Sequence, residues 1–556
     1  MSSQRQIVRD DDGNPILRAR MTRRGLLIRA GAIGLGTISL PEFLAATASP
    51  ASGAMKKLAS GTVVFATDGS AGTAEPATFT TFGDEFVIDM VTRGLTLIDF
   101  ASNAPKLLLA DSVQVSNGGK SYTFVLKQNL THHDGSAFTA NDVVRTFERQ
   151  LKDKDPTVPQ GVFYSLRAAV NNNVAAVTAK DDHTVVFDLN TPDPIFLSRI
   201  QDPSCHIISS AALDKYGSKI GQNLVGCGPF SLVSLAPQQG AVLQSFAGYV
   251  GGQPAIDRLV LQPVPSSSTL TGSLLSGQIQ ATSFAPHASA KSLKASGKVQ
   301  IYNTSRLVKL FVMMNAASPA LKEIEIRQAV NYAIDRNAII QKALFGYADY
   351  PDGYAVCRTE IGHDPSLKYL SVQNLDKAKA LVQKIGATGR TVGLIGQNND
   401  WYPTALQIIS DNLKAIGLNP QVTAIDPATF AGKAFDPKGH DLALWERNNW
   451  IPDPATGVGS LFAPGQAYAA VGTGQLTFPK ALNDQVAALL AKGELERDPV
   501  KRKSIYTQVQ KLVTSKMMII AMVAYSQAVV ASNGVTGIDP TALSTQRMVM
   551  EGTKVV

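Results

Sequence analysis

Three helical segments in the second half of the chain each stop at a glycine, and this punctuation constrains the fold more than any other feature. The stretches 326–344, 376–385 and 404–416 carry apolar residues at helical spacing and run out at Gly346, Gly386 and Gly417. Glycine at that point supplies the left-handed residue that closes a helix. A fourth helix starts at Pro499 behind Asp498, an N-cap followed by proline in the first turn, and 516–523 then turns into an apolar, strand-like run. Earlier in the chain, 61–67 (GTVVFAT), 112–115 and 122–126 read as strands. Asn117, Gly118, Gly119 and Lys120 form a hairpin turn between the last two, since Asn and Gly tolerate positive φ. Thr139 is placed to cap a helix that aligns Val143, Val144, Phe147 and Leu151, and 182–189 is another turn and strand. Helices alternate with strands, so the class is α/β.

The length of 556 residues exceeds what one core supports. The 44% hydrophobic and 17% charged content is that of a globular protein. A net charge of +8 suggests nucleic acid at first sight. Much of it sits in the first sixty residues, where Arg5, Arg9, Arg18, Arg20, Arg23, Arg24, Arg29, Lys56 and Lys57 face only Asp10, Asp11, Asp12 and Glu42. The remainder is near neutral and does not call for phosphate partners.

That basic leader has its own logic. Arg23 and Arg24 directly precede a weakly apolar stretch, 25–40, which is too short to span a membrane. Ala45, Ala46, Thr47 and Ala48 then offer small residues for cleavage. The pattern is similar to a twin-arginine export signal. No cysteine lies near residue 48, so no lipid anchor is expected there and the mature chain should be free in the periplasm. In that oxidising compartment Cys205 and Cys227 could form a disulfide; two buried thiols are the alternative reading.

Motifs for catalysis and metals are weak. Gly119, Lys120 and Ser121 mimic the end of a phosphate loop, but its first glycine would fall on Gln114. His132, His133 and Asp134 suggest a metal site, yet adjacent strand residues point to opposite faces. Neither a Gly-x-Ser-x-Gly elbow nor a His-Glu-x-x-His motif occurs. No catalytic residue, cofactor or metal is expected, and an exported hydrolase is the remote alternative.

Several blocks are collinear with one known family. Leu109-Ala110-Asp111-Ser112 leads through Ser121-Tyr122-Thr123-Phe124-Val125-Leu126 into His133-Asp134-Gly135-Ser136 and Asn141-Asp142-Val143-Val144. Val225-Gly226-Cys227-Gly228-Pro229-Phe230, Leu274-Leu275-Ser276-Gly277, Arg327-Gln328-Ala329-Val330-Asn331-Tyr332-Ala333-Ile334-Asp335-Arg336, Pro452-Asp453-Pro454 and Asp498-Pro499 follow in order. Together they resemble the extracellular solute-binding family 5 of bacterial ABC importers, the oligopeptide, dipeptide and nickel type, over about 60–530. Arg327, Asp335 and Arg336 are read as one helix carrying ion pairs or caps.

The resemblance implies a two-lobed periplasmic binding protein fold of type II, in the large peptide-binding class with an extra subdomain, hinged by two crossover strands. It assigns 1–60 to the leader, 61–95, 210–308 and 518–556 to one discontinuous lobe, 96–209 to an inserted subdomain, and 309–517 to the opposing lobe. The implied role is capture of a peptide or peptide-like solute between closing lobes and delivery to an ABC permease with its ATPase. The same role for an opine, oligosaccharide or metal chelate is the alternative. A monomer is expected, in peripheral contact with the membrane transporter. Micromolar capture needs about 8 kcal/mol.

The stretch expected to touch solute is 444–453. It holds Trp445, Arg447, Asn448, Asn449, Trp450 and Asp453, and follows a β run. The alternative is that both tryptophans pack beneath the loop and that Arg447 is a surface residue. Peptide-binding members carry an Asp three residues after the tryptophan to receive the peptide amine, and this chain has Asn448. A charge-assisted hydrogen bond contributes about 1.5–3 kcal/mol and a neutral one about 0.5–1.5, so peptide affinity is in question. Asp453 could substitute but matches a structural Asp-Pro. Asn315, Tyr525, Asp68 and Ser70 complete the candidates, with Asn315 placed by the resemblance at an interlobe crossover.

Overall fold

The computed structural model describes residues 61–556 except 68–70, 80, 100–103, 160–164, 171, 238, 265, 304–307, 316–317, 357–359, 361, 435, 437, 449–452, 456–461, 463–479, 518, 526–527 and 540–549. In the leader it describes only a two-residue pairing of 8–9 with 15–16. The twin-arginine segment, Cys357, Asp68, Ser70, Asn449 and Trp450 therefore lie outside the described residues.

Beyond the leader, the chain builds three main sheets. The seven-stranded one runs in the order Phe230–Ala236, Gly240–Ser245, Arg258–Pro263, Thr62–Thr67, Ala281–Ala285, Ala528–Ser532, Val299–Asn303. Its central strand, Thr62–Thr67, pairs in parallel on both sides and is buried from Val63 on. An unbroken apolar run is what a strand covered on both faces requires. Two apolar clusters cover this sheet, one around Phe65, Phe86 and Phe230 and one around Val64, Leu270 and Leu293.

The six-stranded sheet runs Ala348–Asp349, Ile519–Tyr525, Val308–Met314, Leu442–Asn448, Thr391–Gln397, Asn419–Ile425. Val308–Met314 and Ile519–Tyr525 are buried at every position. Alternate residues of Val308–Met314 enter two cores, Leu310 and Val312 on one face and Phe311 and Met313 on the other. The third sheet is antiparallel and made of two adjoining hairpins, in the order Ala110–Ser116, Ser121–Leu126, Thr184–Leu189, Val174–Asp181. Helix Ala140–Leu151 covers it, with Phe147 edge-on to Phe187 at 4.8 Å. The capping reading holds: the Asp142 carboxylate accepts from the amide and hydroxyl of Thr139 at 2.7 and 3.1 Å.

The chain passes from the first sheet to the second between Asn303 and Val308, and returns between Tyr525 and Ala528. Asn303 pairs with Ala528 in the first sheet and Val308 with Tyr525 in the second, so both crossings leave and enter the sheets at paired residues. Strand Ile519–Tyr525, assigned from the sequence to the discontinuous lobe beginning at 518, thus belongs to the opposing sheet. Buried ion pairs tie the layers. Arg149 of the covering helix grips Glu75 through two hydrogen bonds of 2.8 and 2.9 Å, and Arg199 pairs with Asp193 and reaches Glu494 at 3.4 Å.

Local readings fare unevenly. The hairpin at 117–120 is present, with Asn117, Gly118 and Gly119 all at positive φ. Helices Leu375–Lys384 and Tyr402–Ala415 end before Gly386 and Gly417, both at positive φ. Asp498 accepts from the amides of Val500 and Lys501 at 2.9 Å. The single helix expected over 326–344 is instead broken. Ile324–Ala333 ends at Ile334, Asp335 caps a new turn by accepting from the Ala338 amide at 2.9 Å, and Ile339–Ala343 widens to π geometry. The break seats Arg336, which is fully buried and donates to the carbonyls of Ala521 and Ser371 and to the Asn331 side chain at 2.8–2.9 Å. Arg327 likewise serves carbonyls, those of Leu321 and Lys322 at 2.8 Å. Of the ion pairs or caps expected of these residues, the cap is present at Asp335, while Arg336 is held by neutral oxygens.

Cys205 and Cys227 are buried in the core of the four-stranded sheet, and no disulfide joins them. The second of the two alternatives holds, because each thiol packs in an apolar cluster; burial pushes the Cys227 thiol up to about 12. The glycines beside it have a steric cause: a Cβ at Gly228 would lie 2.6 Å from the backbone of Met90 and Val91.

Candidate functional site

Strand pairing gathers distant segments at one end of the six-stranded sheet. Val308 faces Tyr525 on one side and Asn448 on the other. This is the end where both crossings enter, so it fronts the seven-stranded sheet. Side chains alternate along a strand, and the end presents two different faces.

On one face the buried Tyr525 donates its hydroxyl to the Glu446 carboxylate. Its ring stands edge-on to Trp401 at 5.5 Å, and Trp401 stacks on Tyr402 at 3.9 Å. From helix His287–Ala295, which follows a strand of the first sheet, the His287 ring comes within 5.9 Å of both Tyr525 and Tyr347. Its Nδ1 lies 3.8 Å from the Asp400 carboxylate. Burial, then the Glu446 charge, pushes the Tyr525 phenol well above its usual 10. It stays a neutral donor, suited to orienting a carboxylate and unsuited to acting as a base.

On the other face Lys309 extends its ammonium to both Glu360 oxygens at 2.9 and 2.7 Å, and both residues are buried. Trp445 is half-buried, opposite Phe311 in register, and stacks on Phe430 at 5.0 Å with a 22° tilt. The arrangement offers aromatic walls, a carboxylate and a charge pair. Among the described residues no group of three or more His, Cys, Asp or Glu side chains could hold a metal. His132 is buried 3.5 Å from Asp142, and the His133 Nε2 donates to the Gly228 carbonyl at 3.0 Å, so the histidine pair is scaffold.

The sequence candidates divide. Trp445 and Tyr525 come to this end, as does the backbone of Arg447 and Asn448, whose side chains lie outside the description. Asn315 does not. It follows Met314 at the opposite end of the strand, about 20 Å away at ~3.3 Å per residue, where its amide side chain donates to the His440 carbonyl at 3.1 Å. The crossover precedes this strand, whereas the resemblance placed it after. Asp453 is buried against Arg502, which donates to both carboxylate oxygens, one at 2.7 Å; it also accepts from the Ala455 amide at 2.8 Å. Its charge is consumed in packing. Sequence reasoning included Glu446 in the 444–453 stretch without singling it out, and missed Trp401, His287, Asp400, Lys309 and Glu360. Trp401, beside three polar residues at 398–400, carried the one local signal; the rest meet only through the fold.

Comparison with known proteins fits this geometry. The model of the bacterial extracellular solute-binding proteins, family 5 (middle region) matches residues 104–469. A glutathione-binding protein, GsiB, of Pectobacterium atrosepticum is 28% identical over 421 residues, covering 72% of this chain and 77% of its own. The periplasmic binding protein DppA of Helicobacter pylori, solved with the peptide STSA, superposes with a TM-score of 0.76 at 20% identity, covering 89% of this chain and 98% of its own. AgaA of Agrobacterium tumefaciens R10, solved with agropinic acid, superposes at 0.73 with 23% identity, covering 89% and 99%. The two solved structures establish the two-lobed architecture.

Proposed function

Because the chain belongs to the bacterial extracellular solute-binding proteins of family 5, we propose that it captures a peptide-like solute between two lobes and hands it, unaltered, to an ABC permease and ATPase. The observation that carries this reading is that the strand ends flanking the two crossings pair in both sheets, Asn303 with Ala528 and Val308 with Tyr525. Two adjacent links let two sheets close on each other as a hinge does, and the surfaces they bring together carry aromatic rings and a carboxylate. Strand membership suggests lobes of 61–95 with 210–303 and 528–556, and of 308–525, with 96–209 inserted.

A peptide-like solute is favoured by Glu446. It stands two residues before Asn448, the position where peptide-binding relatives carry Asp, and supplies a carboxylate at the same sheet end. It can receive the solute's ammonium while Tyr525 holds it in place. Trp445 and Trp401 supply apolar contact. The relative named for glutathione binding supports a short, amine-bearing solute.

A second reading, an opine or other non-peptide solute, is favoured by Asn448 itself and by the structural likeness to a protein holding agropinic acid. Titration calorimetry with glutathione, dipeptides and agropinic acid separates them. Binding of glutathione or a dipeptide, weakened in Glu446→Gln, supports the first; binding of the opine alone refutes it. Export to the periplasm by the twin-arginine route is part of the proposal. It rests on Arg23 and Arg24, and no described helix is long and apolar enough to cross a membrane. Recovery of the mature form from the cytoplasm of a cell with a working twin-arginine pathway would refute it.

A further inference from the structure

A groove of about 420 Å³ opens between helix His287–Ala295 and the turn that follows the π-helical Ile339–Ala343. Lys291, Lys294 and Ala295 form one wall, spaced three and four residues apart on one helix face. Gln341, Phe345 and Tyr347 form the other. The walls come from segments that serve the two different sheets.

Three independent features mark this groove. Its charge is of one sign, for among the described residues no carboxylate lines it. Lys291 and Lys294 are both exposed on this wall, and neither has an ion-pair partner among the described residues. Phe345 exposes 46% of its surface beside the fully buried Leu344. Its backbone sits at φ +51°, a left-handed conformation that a bulky residue adopts only under constraint. The fold therefore turns a phenyl ring toward water next to two unneutralised ammonium groups, at the junction of the layers.

We propose that this groove is a second binding site, selective for an anion with a flat apolar body: an aryl carboxylate or aryl phosphate. The lysines would hold the anionic group, and Phe345 and Tyr347 the apolar part. The volume lies within the range of small-molecule sites. The site differs from the solute floor at Glu446 and Trp445, and does not depend on the solute's identity. Tyr347 touches His287, which touches Tyr525, so the groove communicates with that floor through two ring contacts. An occupant bridging both walls stabilises the arrangement in which they face each other, and by linkage tightens solute binding.

The probe is 1-naphthyl phosphate, with 1-naphthol as its uncharged counterpart, titrated calorimetrically into the full chain. The phosphate should bind one-to-one, and 1-naphthol at least tenfold more weakly. Lys291→Gln with Lys294→Gln should weaken the phosphate at least tenfold, as should raising the salt from 50 to 500 mM, while Trp445→Ala leaves it unchanged. Exposed lysines tolerate this exchange, and an unaltered melting temperature verifies folding. Equal affinity for both probes, an unaffected double variant, loss of binding in Trp445→Ala, or no binding at millimolar probe each overturns the proposal. None of these results bears on capture of a peptide-like solute.

Discussion

At the scale of single residues, carboxylates of similar appearance in the sequence separate by environment. Asp453 and Glu446 both belong to the tryptophan-rich stretch, yet Asp453 is locked to the Arg502 guanidinium and Glu446 accepts from the neutral Tyr525 hydroxyl. Removing one partner of a buried pair costs about 3–5 kcal/mol. Asp453→Asn should therefore lower the thermal midpoint by several degrees and leave solute affinity within about twofold, as scanning calorimetry with titration will show. Glu446→Gln should do the reverse: little loss of stability, and a roughly ten- to hundredfold rise in Kd for an amine-bearing solute, following the ~1.5–3 kcal/mol of a charge-assisted bond. His133 supplies a pH effect. Burial holds its imidazole down at about 4 from an ordinary 6.5. The unfolded chain then binds the extra proton between these values, so stability falls as pH drops from about 6.5 to 4, by at most ~3 kcal/mol. Asp134 and Asp142, both held below their ordinary 3.8, add losses at still lower pH. In His133→Gln, which keeps a donor for the Gly228 carbonyl, unfolding measured from pH 7 to 4 should show a flatter slope; an unchanged slope assigns the effect elsewhere.

At the scale of elements, what could be read in advance was what local chemistry decides. The hairpin at 117–120, the Thr139 and Asp498 caps and the glycine stops at 386 and 417 depend on residues within one turn of each other, and all appear. The helix over 326–344 was misjudged because its apolar period continues across Ile334, while the backbone breaks to bury Arg336 among carbonyls supplied by 371 and 521. Nothing in the period encodes that distant cradle. Asp335→Ala removes the cap of the restarted turn and should destabilise by about 1 kcal/mol, read as a small shift in denaturant midpoint. Asn315 failed for a related reason: its place at a strand end was legible, but which end faces the other sheet is set by where the chain crosses.

At the scale of the molecule, the sequence carried the class and the two-lobed architecture through a series of collinear blocks, and the candidate site only in outline. Tyr525 and Trp445 each match a single aromatic position of the resemblance, outside its collinear blocks; Glu446, His287 and Trp401 reach them from more than one layer, through contacts separated by up to about 240 residues. A hinge of two adjacent crossings with a carboxylate and aromatic rings at its mouth predicts a clamp that changes shape and leaves its cargo intact. The most direct test is isothermal titration of the mature chain with glutathione and a panel of dipeptides, with the solute recovered afterwards for mass analysis. The account predicts one-to-one binding of at least one of these at micromolar Kd or tighter, abolished or strongly weakened by Trp445→Ala with Glu446→Gln, and recovery of the solute unchanged. Binding that survives the paired substitution at full strength, or recovery of a cleaved solute, would contradict it.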